Sequence, residues 1–321
     1  MPRSVAIVGA GLAGLSCART LAAHGVETRL FDKGRAPGGR LATRRVEAEG
    51  RAFAFDHGAQ YLTARGALFR ATLEASGAQA WQADGWHVGV PRMSAIPRAL
   101  AEGLEVALAR EVVAVEGAAG AWMLRHAAPR RPGQKQADDT VEASGPFDAV
   151  VLAIPAPQAV PLLRGPAPHL ARVVEMVRIA PCWTLMAAFP SRLALPDTLR
   201  PEGSPIGWAA RDSSKPARDA ATECWVMQGG PAWSREHLEL RAEEAQAALL
   251  TAFAELAGGL PAPLHASAHR WRYALVEQAL GAPCLWEPAL GLGAAGDWCI
   301  AARAEAAVES GAALGAVIAG R

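Results

Sequence analysis

The sequence predicts an α/β protein in two units. One is a parallel sheet opened by a strand–turn–helix–turn–strand crossover; the other is an α+β unit on a mixed or antiparallel sheet. Three observations lead to this. The N-terminal stretch alternates a short apolar run, a glycine-rich turn, an amphipathic run and a second apolar run ending at Asp32. The near-continuous apolar run Ala149-Val150-Val151-Leu152-Ala153, stopped by Pro155 and Pro157, has the character of a strand buried on both faces. From Pro161 to about Trp286 the pattern changes to alternation, as in Trp183 to Phe189 and Cys224 to Gln228. At 321 residues, 51% hydrophobic and 20% charged, the chain suffices for two core-forming units and is short for three.

Taken in order, Ser4 to Val8 is a short buried strand and Leu12 to His24 a helix with Leu15, Ala18, Leu21 and Ala22 on one face, ended by Gly25. Val26 to Phe31 is the second strand, and a right-handed crossover makes the two parallel neighbours. Short runs at Glu105 to Glu116, Ala121 to His126 and near Val141 predict an antiparallel meander, with the aperiodic polar tract Pro129 to Asp139 as a mobile loop. Phe147 to Ile154 rejoins the parallel sheet. A long amphipathic helix is expected from about Ser234 to Leu256, capped by Ser234 with Glu236 and Glu239 in its opening turns. Leu290 to Gly320 supplies a strand, the turn Gly296-Asp297 and a final helix from about Ala304 to Ala319. The expected division gives residues 1–65, 92–160 and 287–321 to a nucleotide-binding domain and 66–91 and 161–286 to a substrate domain.

Composition excludes several function classes. A net charge of +1, from 32 basic and 31 acidic residues, provides no field to hold nucleic acid or an anionic membrane. Cys17, Cys182, Cys224, Cys284 and Cys299 form no C-x-x-C pair and no cluster at metal-ligand spacing, so no metal site is expected. An odd number of thiols suits a reducing, cytoplasmic compartment. The apolar run Val5 to Ala18 is expected to be a nucleotide-binding turn and helix rather than a secretion signal, because Gly9, Gly11 and Gly14 stand at fixed offsets. No apolar stretch approaches the roughly 20 uncharged residues of a membrane span.

The chemistry begins at Gly9-Ala10-Gly11-Leu12-Ala13-Gly14. Gly9 permits the tight turn, Gly11 lets backbone approach a pyrophosphate, and Gly14 lets helix pack on strand. The helix N-terminus then offers unpaired amides to the phosphates. Asp32, at the end of the second strand, can accept ribose hydroxyls and repels a 2′-phosphate. Gly38-Gly39-Arg40 follows closely, and a plain nicotinamide site does not require it. The combination resembles the FAD fingerprint of the monoamine-oxidase and phytoene-desaturase superfamily, in which the glycine amides and arginine serve the cofactor's phosphate and ribityl regions. Ala295-Gly296-Asp297 looks like the second flavin motif of that superfamily, and Glu305-Ala306-Ala307 would open the last helix near the flavin pyrimidine. Ala306 departs from the glycine common there.

Further strings narrow the resemblance: Phe31-Asp32-Lys33-Gly34-Arg35, the run from Asp56 through His57, Gly58, Ala59, Gln60 and Tyr61 to Arg65, Pro91-Arg92-Met93-Ser94-Ala95-Ile96, His269-Arg270-Trp271-Arg272-Tyr273-Ala274 and Gly296-Asp297-Trp298-Cys299. Together they are similar to bacterial renalase-type FAD oxidoreductases across nearly the whole chain. The resemblance implies a Rossmann-like FAD-binding domain of the monoamine-oxidase type and noncovalent FAD. It implies an enzyme that oxidises 2- or 6-dihydro isomers of NAD(P)H to NAD(P)+, with O2 reduced to H2O2. The implied cofactor residues are Gly9, Gly11, Leu12, Ala13, Gly14, Asp32, Lys33, Gly39, Arg40, Asp56, His57, Gly58, Val113, Ala153, Pro155, Gly296, Asp297, Glu305, Ala306 and Ala307. The implied substrate residues are Gly58, Ala59, Gln60, Tyr61, Met93, Ser94, Trp183, Thr184, Trp271 and Arg303.

A dihydropyridine can give hydride to flavin N5 without losing a proton from nitrogen, so positioning in a dry cavity suffices and no dedicated base is required. His57 and His269 are candidate proton partners, with a structural hydrogen-bonding role as the alternative. Trp183, Trp225, Trp271, Trp298 and Tyr61 are candidate stacking surfaces or core. Arg65, Arg92 and Arg303 can meet a dinucleotide's phosphates or remain solvated, and Cys299 reads as a small buried thiol. Three rivals stand beside this reading. A flavin amine oxidase of the same superfamily commonly places a lysine near N5, and of Lys33, Lys135 and Lys215 only Lys215 is placed to do so. The others are a lipid desaturase or isomerase and a non-catalytic FAD-binding module.

Overall fold

A computed structural model describes residues 2–82, 84–129 and 140–320. The glycine-rich turn sits where it does because of the sheet beneath it. Six strands lie in the order Leu285–Glu287, Leu292–Ala294, Ala149–Leu152, Ser4–Val8, Glu27–Asp32 and Glu105–Leu108. All pair in parallel except Leu285–Glu287, which runs antiparallel to Leu292–Ala294. Val5 to Val8 and Ala149 to Leu152 are buried, as uninterrupted apolar strands in a two-faced sheet must be. From Ser4–Val8 the chain moves to Glu27–Asp32 on one side, while Ala149–Leu152 occupies the other. The reversal opens a crevice at the carboxyl ends of these strands.

The opening helix, Leu12–Ala22, covers one face and is crossed closely by the closing helix, Ala304–Ile318. Small residues allow the approach: a Cβ on Gly311 would lie 2.0 Å from the carbonyl of Ala13, and one on Gly315 2.7 Å from Thr20. The Ser16 hydroxyl donates to the carbonyl of Val308 at 2.7 Å. The far end of the sequence is thereby locked to its beginning.

The predicted meander is present as Glu111–Ala118, Ala121–Ala127 and Glu142–Phe147; of the tract Pro129 to Asp139, all but Pro129 lies outside the described residues. The second large sheet is wholly antiparallel, ordered Thr198–Leu199, Ile206–Arg211, Glu223–Gly229, Arg178–Phe189 and His265–Gln278. Its outer face buries Trp183, Leu185, Ala187, Phe189, Trp225 and Met227 beneath the helix Ala242–Ala257. Its inner face buries Met186, Ala188, Cys224 and Val226 against Phe53 and Phe55 of the hairpin Arg44–Ala48/Arg51–Phe55.

Several expectations need correction. The helix expected from Ser234 to Leu256 is two helices, Pro231–Glu236 and Ala242–Ala257. Ser234 is not a cap: its buried hydroxyl accepts from Trp183 N–H at 3.1 Å, while at the start of the second helix the Glu244 carboxylate reaches back to accept from Arg241 N–H at 2.9 Å. Glu105 to Glu116 divides into two strands belonging to different sheets. The turn at Gly296-Asp297 is the start of a short helix, Asp297–Ile300. The chain re-enters the parallel sheet at Leu285, two residues before the expected boundary, and Leu62–Thr63 pairs with Trp86–Val88 in a separate small sheet.

Candidate functional site

At the crevice, Gly9 takes φ +105° and donates its N–H to the Phe31 carbonyl at 2.8 Å; a Cβ there would stand 2.4 Å from the Ala153 carbonyl. Only glycine fits between the two strands. A Cβ on Gly14 would lie 1.9 Å from the Gly9 carbonyl. Gly11 differs: a Cβ added to it meets no protein atom within 4 Å, and no side chain caps the helix it begins. The first amides of a helix have no intrahelical acceptor. Here they open onto free space at the positive end of the dipole, an arrangement that could hold an anion such as a pyrophosphate.

The two oxygens of Asp32 accept from the amides of Ala10 at 2.7 Å and Gly34 at 2.6 Å, which fixes the carboxylate at the strand end with lone pairs left for a ribose. Gly38 donates to the Ala10 carbonyl at 2.9 Å, so the Gly38-Gly39-Arg40 turn lies directly on the first glycine turn. Arg40 reaches Asp297 with both terminal nitrogens, at 2.8 and 2.6 Å, and the Ala274 carbonyl at 2.9 Å. The two flavin-like motifs, 257 residues apart, thus meet through one bidentate ion pair. Gly296 is held by Ser310 through its N–H at 3.0 Å. Buried Glu305 spans from the closing helix to the amides of Arg65 and Gly66, at 2.8 and 2.5 Å. Burial opposes its charge, and those amides with Arg303 hold its carboxyl below the usual range. Ala306 and Ala307 are buried beside it, and Arg303 pairs with Glu305 at 3.2 Å. Ala153 and Pro155 follow the strand Ala149–Leu152 at the crevice floor. Lys33 and Val113 stand toward solvent, Lys33 4.0 Å from Glu111 and Val113 half exposed.

The loop after the hairpin, Asp56 to Tyr61, carries six more of the predicted residues. A Cβ on Gly58 would collide with the Arg40 carbonyl at 1.9 Å, and Ala59 N–H donates to the same oxygen at 2.9 Å. Asp56 is fully buried. It accepts from the Thr43 hydroxyl at 2.6 Å, Met93 N–H at 3.1 Å, Lys215 Nζ at 3.3 Å and Arg218 at 2.6 Å. Burial alone would raise its pKa, yet Lys215, Arg218 and the Thr43 hydroxyl together bring it down to about 2. Its neighbour Asp212 is pushed upward, burial and the Asp56 charge outweighing Lys215 and Arg218. Ser94, whose N–H reaches the Thr43 hydroxyl at 3.3 Å, follows Met93 into the helix Ala95–Ala101.

Register on the antiparallel sheet decides which residues face this loop. Cross-strand pairing aligns Trp208 with Gln228, Gln228 with Thr184 and Thr184 with His269, a row on the inner face. Gln228 donates to the Gly58 carbonyl at 2.7 Å, and Trp271 donates to the His57 carbonyl at 2.9 Å. The His57 ring stands 5.0 Å from both His269 and Trp271. Burial, then His269 and Arg44, brings His57 down to about 3, and burial and Arg44 bring His269 down to about 4. Both imidazoles are neutral at pH 7.

Trp183, expected beside the substrate, is corrected: a strand reverses facing at every residue, so Trp183 turns into the outer core while adjacent Thr184 faces the site. Trp225 and Trp298 are likewise core. Tyr61 stacks on Trp86 at 3.8 Å and bonds Arg200 at 2.8 Å. Trp86, Trp208, Gln228, Arg44 and Arg218 were not singled out from sequence; the register of the antiparallel sheet gives the signal for Trp208 and Gln228, while Trp86 belongs to the separate small sheet with Leu62–Thr63. Lys215 is buried with its charge paired to Asp212 at 2.5 Å. Among the described residues no group of three or more metal-binding side chains is found, and no helix is long and apolar enough to cross a membrane.

Comparison with known proteins gives the family and the fold. Residues 7–73 match the NAD(P)-binding Rossmann-like domain, and residues 68–313 match the flavin containing amine oxidoreductase family. Among solved structures, one from Exiguobacterium sp. 255-15, provisionally named protoporphyrinogen oxidase, superposes with a TM-score of 0.76 at 14% identity, covering 99% of this chain and 98% of that one. Putrescine oxidase bound to putrescine gives 0.69 at 13%, covering 99% of each chain. Cyclohexylamine oxidase from Brevibacterium oxydans IH-35A gives 0.68 at 11%, covering 100% of this chain and 99% of that one. At these identities the structural likeness carries the fold alone.

Proposed function

Because the chain belongs to the flavin containing amine oxidoreductase family and is an FAD-dependent oxidase, we propose that it removes hydride from a carbon bonded to nitrogen in a small molecule. Bound FAD would supply the two-electron acceptor for that hydride, with O2 as the final acceptor giving H2O2. The residues that would hold it are the amides at Gly11 to Ala13, Asp32, and the turn Gly38 to Arg40 tied to Asp297, with no covalent attachment. The observation that carries the reading is the uncharged edge formed by buried His57 with half-buried His269 and Trp271. Hydride leaves a carbon readily only when the adjacent nitrogen keeps its lone pair. Neutral imidazoles beside the Arg44 guanidinium, 3.4 Å from His269, disfavour a protonated amine and favour the uncharged form. The family match and the amines in the names of two structural relatives support an amine as the substrate ahead of a dinucleotide.

One observation favours the renalase-type reading as a second. The carboxylates around this edge are already engaged: Asp56 and Asp212 with Lys215 and Arg218, Asp297 with Arg40, and Glu305 with backbone amides. Arg44, Arg45 and Arg92 lie on or beside the same hairpin, the latter two lining with Glu47 a surface groove of about 510 Å³, two cations against one carboxylate. That balance suits a substrate bearing phosphate. In 2- and 6-dihydro-NAD(P) the reactive carbon also adjoins a ring nitrogen, so the bond change is the same. The five unpaired cysteines support a cytoplasmic setting.

Peroxide release by the purified holoenzyme, measured with a panel of primary and secondary amines and with dihydronicotinamide isomers from borohydride-treated NAD+, tests both. Amine turnover is expected to rise with pH as the free base becomes available. Silence with both panels would refute oxidation beside nitrogen; turnover of amines alone would refute the dinucleotide reading.

A further inference from the structure

The Lys215 side chain is wholly buried, and all of its hydrogen-bonding capacity is used within the chain. An ammonium has three donors. They point to Asp212 at 2.5 Å, Asp56 at 3.3 Å and the Gln60 side-chain oxygen at 3.4 Å. No donor remains for a substrate or for a water held at the reacting atoms. The acceptors lead toward the site instead. The Gln60 side-chain nitrogen donates to the carbonyls of Asp56 and Gly58, the latter at 3.2 Å. The Gly58 carbonyl is held from its other side by Gln228 of the antiparallel sheet. Asp56 itself gathers Thr43, Met93, Lys215 and Arg218, and its own N–H donates to Asp212 at 3.3 Å. Arg218 extends the network to the carbonyls of Gly89 and Pro91. The cluster therefore ties the turn after Gly38 to Arg40, the hairpin loop, the start of the helix Ala95–Ala101 and the end of the strand Ile206–Arg211.

We propose that Lys215 is a positioning residue for the oxidation: through Gln60 and Asp56 it fixes the backbone from Asp56 to Gln60, and it does not meet the reacting atoms. This rests on Gly58 and Gln60 lying beside the substrate. Removing a charge from a balanced buried cluster leaves its partner uncompensated. The informative variant therefore removes a whole pair, Lys215→Met with Asp212→Asn, and leaves Asp56 with Arg218. Gln60→Leu breaks the same path without touching a charge.

The first measurement needs no substrate: deuterium exchange of backbone amides in the holoenzyme. In both variants, residues 56–64 should exchange at least tenfold faster, with residues 4–22 unchanged and FAD retained. The second uses steady-state kinetics on the nitrogen substrate that releases peroxide. The kcat should fall at least tenfold in each variant, the pH profile of kcat/KM should keep its inflections, and combining all three substitutions should cost less than a further twofold. Lys215→Arg should recover most of the loss. Unchanged exchange, or multiplicative losses in the combined variant, would overturn the proposal. Loss of an inflection with Lys215 would place it among the reacting groups and also overturn it. Should the paired variant fail to fold, Gln60→Leu alone decides through exchange. A failure of the nitrogen-substrate reading would show in the wild type as absent turnover and leave the exchange result intact.

Discussion

Replacing Gly11 and Gly14 by alanine, one at a time, separates binding from folding within a single turn of chain. Gly11 adopts φ −78°, open to any residue, and an added Cβ finds no protein atom within 4 Å. For the protein without cofactor the change is close to neutral. Alanine is a poorer helix N-cap than glycine by at most about 1 kcal/mol, while restricting the unfolded chain returns about 0.4 to 1 kcal/mol. The same methyl occupies the space over which a pyrophosphate would meet the helix amides. Loss of one charge-assisted hydrogen bond, about 1.5 to 3 kcal/mol, weakens FAD binding roughly ten- to hundredfold. At Gly14 the added Cβ would sit 1.9 Å from a backbone oxygen that cannot yield without moving the turn. Overpacking of this kind costs about 1 to 3 kcal/mol, so the protein should melt several degrees lower with or without flavin. Flavin-fluorescence titration of the apoprotein gives Kd, and thermal melts of the same samples give Tm. If Gly11→Ala binds FAD as tightly as the wild type, or melts as low as Gly14→Ala, the crevice is not the phosphate site.

Other consequences follow from burial and charge. The unfolded imidazoles of His57 and His269 titrate near 6.5, above their native values of about 3 and about 4. The unfolded state therefore binds more protons below that point. Stability should be full above pH 7 and fall as the pH drops from about 6.5 toward 4, by up to about 1.4 kcal/mol per unit for each ring; urea unfolding of the His57→Gln/His269→Gln variant at pH 4.5 and 7.5 should show that dependence flattened. Arg211 is wholly buried between Asp197, Glu223 and two carbonyls, so Arg211→Met should cost about 3 to 5 kcal/mol by stranding Glu223, read as a lowered urea midpoint. Trp183→Phe should lower stability by about 1 to 3 kcal/mol with KM within about twofold, whereas Gln228→Leu, which loses the bond to Gly58, should raise KM severalfold at nearly unchanged Tm; the reverse pattern would mean that the sheet presents its other face to the substrate.

The dinucleotide turn was legible because its cause is local. Gly9, Gly11, Gly14 and Asp32 lie within one crossover, where backbone sterics require glycine at fixed offsets. The second flavin motif was legible as a string, but its partner was not: nothing near Asp297 in the chain indicates that Arg40 closes on it. Lys215 could be picked out only by elimination among lysines. Its engagement by Asp212, Asp56 and Gln60 depends on segments more than 150 residues apart meeting in one buried cluster. Trp183 failed as a site residue for the same reason in reverse, since alternation shows that neighbours point oppositely without showing which of them faces inward.

By itself, then, the chain's order of residues determined the parallel sheet, the glycine crossover and a second unit of alternating strands, left open between a mixed and an antiparallel sheet, each a matter of periodicity and local conformational freedom. Tertiary structure alone decided which face of the antiparallel sheet looks onto the crevice, which charges cancel, and which imidazoles lose their proton. Those depend on burial and on distances between remote segments, and both are set by packing rather than by spacing along the chain.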